Sequence, residues 1–165
     1  MSDDHSAQGR PVRYMERTRN YYRALGYAND YVWAHHADVP FCRPAKKLSQ
    51  STVALITTAG PPDRSNRDAG GAKQVWSGDV VHPPAGFDTD LAWDKEATHT
   101  DDRETFQPID AMRGLVAAGV VGALAPHFHG APTGYSHRKT NEHDAPELLR
   151  RLRRDGVDAA LLTAL

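Results

Sequence analysis

The stretch Pro108-Ile-Asp-Ala-Met-Arg-Gly-Leu-Val-Ala-Ala-Gly-Val-Val-Gly-Ala-Leu-Ala-Pro126 decides the fold. Ile109, Met112, Leu115 and Val116 recur at helical spacing behind a proline that suits a first helical turn. Gly119 stops that helix, and Val120-Val-Gly-Ala-Leu-Ala125 reads as a short buried strand closed by Pro126. The pattern then repeats. Asp144 and Glu147 have the spacing of a capped helix start, with Pro146 in the first turn. Leu148, Leu149 and Leu152 supply an apolar stripe, and Gly156 ends the helix before a final strand, Val157-Asp-Ala-Ala-Leu-Leu-Thr163. Upstream, Thr52-Val-Ala-Leu-Ile-Thr-Thr58 is a β-branched apolar run that ends at Ala59-Gly60-Pro61-Pro62, the mark of a buried strand in a parallel sheet. Helix, strand, helix and strand following an earlier buried strand imply an α/β fold. The expected architecture is a mostly parallel sheet with flanking helices, Rossmann- or flavodoxin-like, and incomplete at its C-terminal end.

The remaining elements are read outward from this frame. Residues 1–12 are expected to form a flexible tail and residues 13–165 a single domain. A helix is expected from Pro11 to about Leu25, stopped by Gly26. Tyr21, Tyr22, Tyr27, Tyr31 and Trp33 make this segment aromatic, either to clamp it onto the domain or to bind a partner. Pro40, Phe41 and Pro44 mark an extended connector, and residues 61–71 are a loop by composition. Residues 74–81 alternate as a second strand, and residues 91–98 form a third, short one.

Composition narrows the function. The chain has 165 residues, with 20 basic and 21 acidic side chains and no long block of one sign, so it lacks the electrostatic footprint of a nucleic-acid binder. The cluster Arg150, Arg151, Arg153 and Arg154 falls on a helix pattern and reads as its solvated side. Mean hydropathy is −0.62. The apolar run from Leu115 to Pro126 is shorter than the roughly 20 residues a membrane helix needs, and the first ten residues lack the apolar core of a secretory signal. Cys42 is the only cysteine, which fits a reducing compartment and an expected cytoplasmic location.

Several segments resemble one family in order and spacing. They are Tyr31-Val-Trp-Ala34, Val39-Pro-Phe41, Ser49 through Gly60, Pro108 through Leu115, Gly122-Ala-Leu-Ala-Pro126, and Glu147 through Leu162. Together they resemble the selenoprotein B family of glycine, sarcosine, betaine and D-proline reductases over roughly residues 14–165. The resemblance implies a subunit acting in reductive cleavage of a carbon–nitrogen bond in an amino-acid-like substrate. Electrons would come from a dithiol, and the partners would be other reductase subunits or a thiol reductant. In that family a Cys-x-x-Cys, or its selenocysteine counterpart, follows the strand equivalent to residues 157–163. A thiolate or selenolate there is stabilised by a helix N-terminus, and its neighbour resolves the oxidised intermediate. The pair would begin just after Leu165. The sequence is therefore expected to be a piece of a longer chain closed at a selenocysteine codon, with a short ligand-binding homologue as the alternative. No cofactor is expected within these residues, and a selenocysteine or dithiol is expected in a full-length form.

The candidate site residues follow from the strand ends and the resemblance. Thr57, Thr58 and Gly60 follow the first strand, where hydroxyls and a close backbone suit a carboxylate. His127 and His129 follow another strand, and spacing of two places both imidazoles on one face of an extended chain. His99 and Asp101 resemble a histidine patch of the family and are candidates for general acid catalysis as the amine departs. Arg138 and Lys139 are open to two readings, as partners of a substrate carboxylate or as solvated loop charges. Metal ligation by His127, His129, His99, Asp101 and His137 is the weaker alternative, and no metal is expected. A rival functional class is a non-catalytic amino-acid- or betaine-binding or assembly module.

Overall fold

A computed structural model describes residues 13–30, 32, 35–39, 41–89, 99–134 and 136–164. The expected strand at 91–98, the residues 1–12 and the aromatics Tyr31 and Trp33 lie outside these. Contacts divide the chain into two compact units, Met1–Pro40 and Phe41–Leu165. In the first, helix α1 spans Tyr14–Ala24 and ends where Gly26 turns at a φ of 88°. The ring of Tyr22 meets those of Tyr21 and Tyr27 edge-on, at 5.6 and 5.5 Å between centroids.

The second unit is built on strand β1 (Thr52–Thr57), buried along nearly its whole length. The other elements are β2 (Trp76–Asp79), α2 (Ile109–Ala117), β3 (Ala123–Leu124), β4 (His127–Gly130), α3 (His137–Lys139), α4 (Ala145–Arg154) and β5 (Ala159–Thr163). Strand β1 pairs in parallel with β5 on one side, and with β3 and then β4 on the other. Strand β2 adds antiparallel to β4. The sheet is thus mostly parallel with flanking helices, as the alternation of patterns implies.

Two corrections to the sequence reading matter for function. The strand expected to stop at Pro126 resumes beyond it. Val53 and Ile56 face Leu124 and His129, so three steps along β1 match five along its neighbour, and two extra residues bulge out around Pro126. Proline lacks a donor, yet its carbonyl still accepts from the Val80 amide at 3.1 Å, and Phe128 draws the chain back into the core. His127 and His129 therefore belong to a strand rather than to the loop after one.

The second correction concerns the last helix. Asp144 does not cap it. Helical backbone begins at His137, where the Ser136 hydroxyl accepts from the Lys139 amide at 3.2 Å, and passes through a π-helical turn, Thr140–Asp144, into α4. A proline inside a helix removes one bond and crowds the carbonyl four residues back. For Pro146 that carbonyl belongs to Glu142, which the wider π turn contains.

The core lies between the sheet and α2. Val53, Leu55, Val80, Ile109, Met112, Val121 and Phe128 form one buried cluster. Trp76, Phe87, Phe106 and Phe128 join it through ring pairs 5.3–5.9 Å apart. Two glycines make room. Gly78 lies opposite Phe128 and Gly130 opposite Trp76, and a Cβ at either would collide with the facing ring. The N-terminus of α2 is capped from outside, because the Glu104 carboxylate accepts from the amides of Asp110 (2.9 Å) and Ala111 (3.1 Å). Among the described residues, no helix is long and apolar enough to cross a membrane.

Candidate functional site

The carboxyl ends of β1 and β4 lie side by side, and a polar pocket opens there. Thr58, Ala59 and Gly60 form one wall, and Ala131, Pro132 and Thr133 another. Asn66, Arg67 and Lys73 close it from the segment that composition marks as a loop. Its enclosed part is about 10 Å³, room for one water-sized group.

That segment is an ordered hairpin. The Gln74 amide donates to the Asn66 carbonyl at 2.7 Å, and the Asp68 amide to the Ala72 carbonyl at 3.0 Å. The Asp68 carboxylate accepts from the amides of Gly70 and Ala72, both at 2.9 Å, while Gly71 turns the chain at a φ of 81°. Arg67 and Lys73 are bridge partners across this hairpin. Two cations directly opposed on paired strands repel one another. Here both line a pocket, with Asp88 beside them. Lys73 Nζ donates to Thr133 Oγ1 at 2.6 Å, joining the hairpin to the end of β4.

Lys139 braces this arrangement. Its ammonium donates to the Lys73 carbonyl at 3.0 Å and to the Asp144 carboxylate at 2.6 Å, the latter buried in the π turn. Lys139, held between Asp144 and the hairpin, thus supports a residue that lines the pocket. The sequence carried one signal for it, a lysine five residues before an aspartate in a helical run.

The proposed substrate residues separate in the structure. Thr58 and Gly60 line the pocket. Thr57 is buried and its Oγ1 accepts from the Ala59 amide at 3.3 Å, which shapes the turn after β1. The Gly60 amide is committed to the Asp88 carbonyl at 2.7 Å. His99 and Asp101 are 71% and 91% exposed and 3.8 Å apart, a pair of their own that the structure does not bring to the pocket.

His127 and His129 share one face of β4, as spacing of two requires, but it is the face tied to α4. His127 Nδ1 lies 2.8 Å from the carboxylate of Asp155, whose side chain is almost fully covered. Burial raises its carboxyl, but the hydrogen bonds and charges of Arg154 and His127 together hold it below the usual range. His129 is buried, with Nδ1 2.8 Å from Ser77 Oγ. The same oxygen accepts from Arg151 at 2.8 Å, and Arg151 donates to Glu147 at 2.7 Å. Ser77 Oγ thus joins Arg151 to His129 Nδ1, and the other imidazole nitrogen is Nε2. Among the described residues, that Nε2 is buried without a partner, as are both amide atoms of Gln107. Burial pushes His129 down to about 4, with Arg151 adding to the shift and Asp155 opposing it. Among the described residues, no group of three or more histidine, cysteine, aspartate or glutamate side chains is placed to hold a metal ion.

Comparison of the sequence with known proteins matches it to a family. Residues 20–165 match the model of glycine/sarcosine/betaine reductase selenoprotein B. The chain is 35% identical over 131 residues to D-proline reductase subunit gamma of Acetoanaerobium sticklandii, covering 72% of this chain and 50% of the relative. It is 26% identical over 140 residues to betaine reductase complex component B subunit beta of Peptoclostridium acidaminophilum, covering 76% and 30%. It is 24% identical over 151 residues to glycine reductase complex component B subunit gamma of the same organism, covering 84% and 33%. The chain thus spans half or less of the length of these curated relatives. No solved structure matches it significantly.

Proposed function

Because the chain belongs to the glycine/sarcosine/betaine reductase selenoprotein B family, we propose that it forms part of a subunit of a multi-subunit, cytoplasmic reductase, and that its strand-end pocket holds the carboxylate of an amino-acid-like substrate. The observation that carries the second part is the cross-strand pair Arg67 and Lys73, two cations lining one pocket with Thr58. An entering carboxylate accepts charge-assisted hydrogen bonds from both. The substrate's amine then projects outward, away from the cationic wall.

In the proposed reaction two electrons and two protons enter the substrate. The carbon–nitrogen bond breaks, the carbon takes one hydrogen and the nitrogen another, and a dithiol becomes a disulfide. Cys42, exposed and the only cysteine of the sequence, cannot supply a resolving pair by itself. We therefore assign the dithiol or selenol to groups other than these residues. With only this half of the chemistry in hand, substrate capture is the role that these residues can perform, and the same capture without turnover would make the chain a binding module.

The test is thermal denaturation and calorimetry with glycine, sarcosine, betaine and D-proline, against choline and ethanolamine as amines without a carboxylate. Binding of at least one carboxylate ligand, lost in Lys73→Met at an unchanged melting temperature, supports the reading. Equal binding of choline and betaine, or none of any ligand, overturns it. Turnover of a bound ligand in the assembled complex with a dithiol separates the enzyme from the binding module.

A further inference from the structure

Among the described residues, Arg64 is the one non-glycine whose backbone takes a positive φ, 56°. Such a residue persists where its surroundings over-determine it, and these places cluster beside ligand sites. The Arg64 amide donates to the Pro61 carbonyl at 3.0 Å, closing a tight turn after Gly60. Its guanidinium forks onto the Asp88 carboxylate, with Nη2 donating to Oδ1 at 3.1 Å and Nε 3.0 Å from Oδ2. The Asp88 backbone exchanges two further bonds with Gly60, at 2.7 and 2.9 Å. Main chain and side chain of Asp88 are thus both fixed, and the side chain is only 22% exposed.

Asp88 lines the same pocket as Thr58, Arg67 and Lys73. A wall that served only a carboxylate would gain nothing from it, because an entering anion meets a like charge there. The fork of Arg64 takes one acceptor position on each oxygen, and a carboxylate has about four. The positions left suit an N–H of a ligand cation, in a charge-assisted bond. An α-amino acid carries its nitrogen one carbon from its carboxylate. Its two poles therefore match the two kinds of charge around one small pocket.

We propose that Asp88 is the specificity-determining residue of this pocket: it accepts a hydrogen bond from the ligand's ammonium and so selects amino acids whose nitrogen retains an N–H. The assignment rests on the carboxylate-pocket reading above and narrows its substrate class. Glycine, sarcosine and proline all keep an N–H on the charged nitrogen. Betaine keeps the charge but has no hydrogen to donate, and its three methyl groups hold the cation away from the Asp88 oxygens. Arg64 acts through Asp88 as a positioning residue.

The test is calorimetric titration of the full protein with glycine, sarcosine, N,N-dimethylglycine and betaine, which adds one methyl at a time. Propionate, in which a methyl replaces the ammonium of glycine, is the nitrogen-free control. Dimethylglycine should bind roughly tenfold or more tightly than betaine, and glycine than propionate, the worth of one hydrogen bond to a charged group. In Asp88→Asn the preference for dimethylglycine over betaine should fall to about threefold or less. Arg64→Gly breaks the same ion pair, suits the positive φ and leaves the carboxylate, so it should keep the preference. Were Asp88 only a fastening for the turn, the two variants would behave alike. The methyl series needs no variant, and melting temperatures establish that both variants remain folded. Equal binding of dimethylglycine and betaine, or of glycine and propionate, overturns the assignment, as does a preference that Asp88→Asn leaves intact. If Lys73→Met still abolishes that binding, the carboxylate pocket stands while the assignment of Asp88 falls. Failure of every ligand to bind removes both.

Discussion

Acidification should unfold this protein through His129 before its carboxylates titrate. The imidazole is buried, its Nδ1 is engaged by Ser77, and its value falls from 6.5 to about 4. A lowered value means that the unfolded chain binds the proton more readily, so stability is full above pH 6.5 and is lost as pH falls toward 4. Linkage across that window gives a loss of about 0.8 kcal/mol at pH 6, about 2 at pH 5 and about 3 at pH 4. These losses are a large share of a typical domain's stability. Glu147 is held down to about 2 by its bonds to Arg150 and Arg151, and the carboxyls of Asp79, Asp155 and Asp158 are also lowered, so their contributions begin to fade only below about pH 5, at the acid end of this window. The assay is urea denaturation at pH 7.5, 6, 5 and 4, for the wild type and for His129→Gln, which removes the titrating group. The wild-type midpoint should decline with a one-proton slope from pH 6.5 to 5, where that of His129→Gln should stay flat, and below pH 5 both should fall as the carboxylates titrate. A flat wild-type curve, or an unchanged slope in the variant, would show that the imidazole is not shielded as argued.

Three further outcomes are expected. Gly130→Val drives a branched side chain into the indole of Trp76 and should cost about 2–3 kcal/mol by overpacking, read as a lower urea midpoint at unchanged slope. Lys139→Met leaves the buried Asp144 carboxylate without its cation, which should cost about 3 kcal/mol and weaken any ligand held by Lys73; Asp144→Leu added to it should recover part of the stability. Glu104→Ala uncaps two amides of α2 and should cost about 1 kcal/mol, visible as faster amide exchange at Asp110 and Ala111.

The sheet was legible in the sequence because its strands are apolar runs and its helices end at glycines. Thr52 through Thr57, Ile109 through Ala117 and Ala159 through Thr163 all fall within the stretches that periodicity marks. What was hidden depends on partners distant in the chain. Nothing local shows that β4 continues past Pro126, because the force that continues it is the packing of Phe128 on Trp76 and Gly78. The helix start was misplaced for a similar reason. Asp144 has the right spacing for a cap, and only the reach of Lys139 to it shows that the backbone there is already helical. At the site, Thr58 and Gly60 could be named from the strand end, whereas Arg67 and Lys73 could not. Their pairing needs the hairpin turn at Gly71, inside a segment whose composition reads only as loop.

The polar face of the sheet and the strand-end pocket form one mechanical unit, joined by the helical run from His137 to Arg154. That run is tied down at three heights: Asp155 to His127, Arg151 to Ser77 and through it His129, and Lys139 to the Lys73 carbonyl. The spacing is commensurate. Four residues of helix rise about 6 Å, and two residues of strand rise about 6.6 Å, so Arg151 and Asp155 match His129 and His127 when helix and strand run in opposite directions. Continued toward its start, the same helix reaches the carboxyl edge of β4, where Lys139 meets the hairpin. The fold needs this antiparallel helix to cover the sheet in any case. Its ties to β4 also fix where Lys139 stands, and thereby where Lys73 stands in the pocket. Polar residues on an inner sheet face cost stability, as His129 illustrates, and here they hold in register the element that positions the cationic wall.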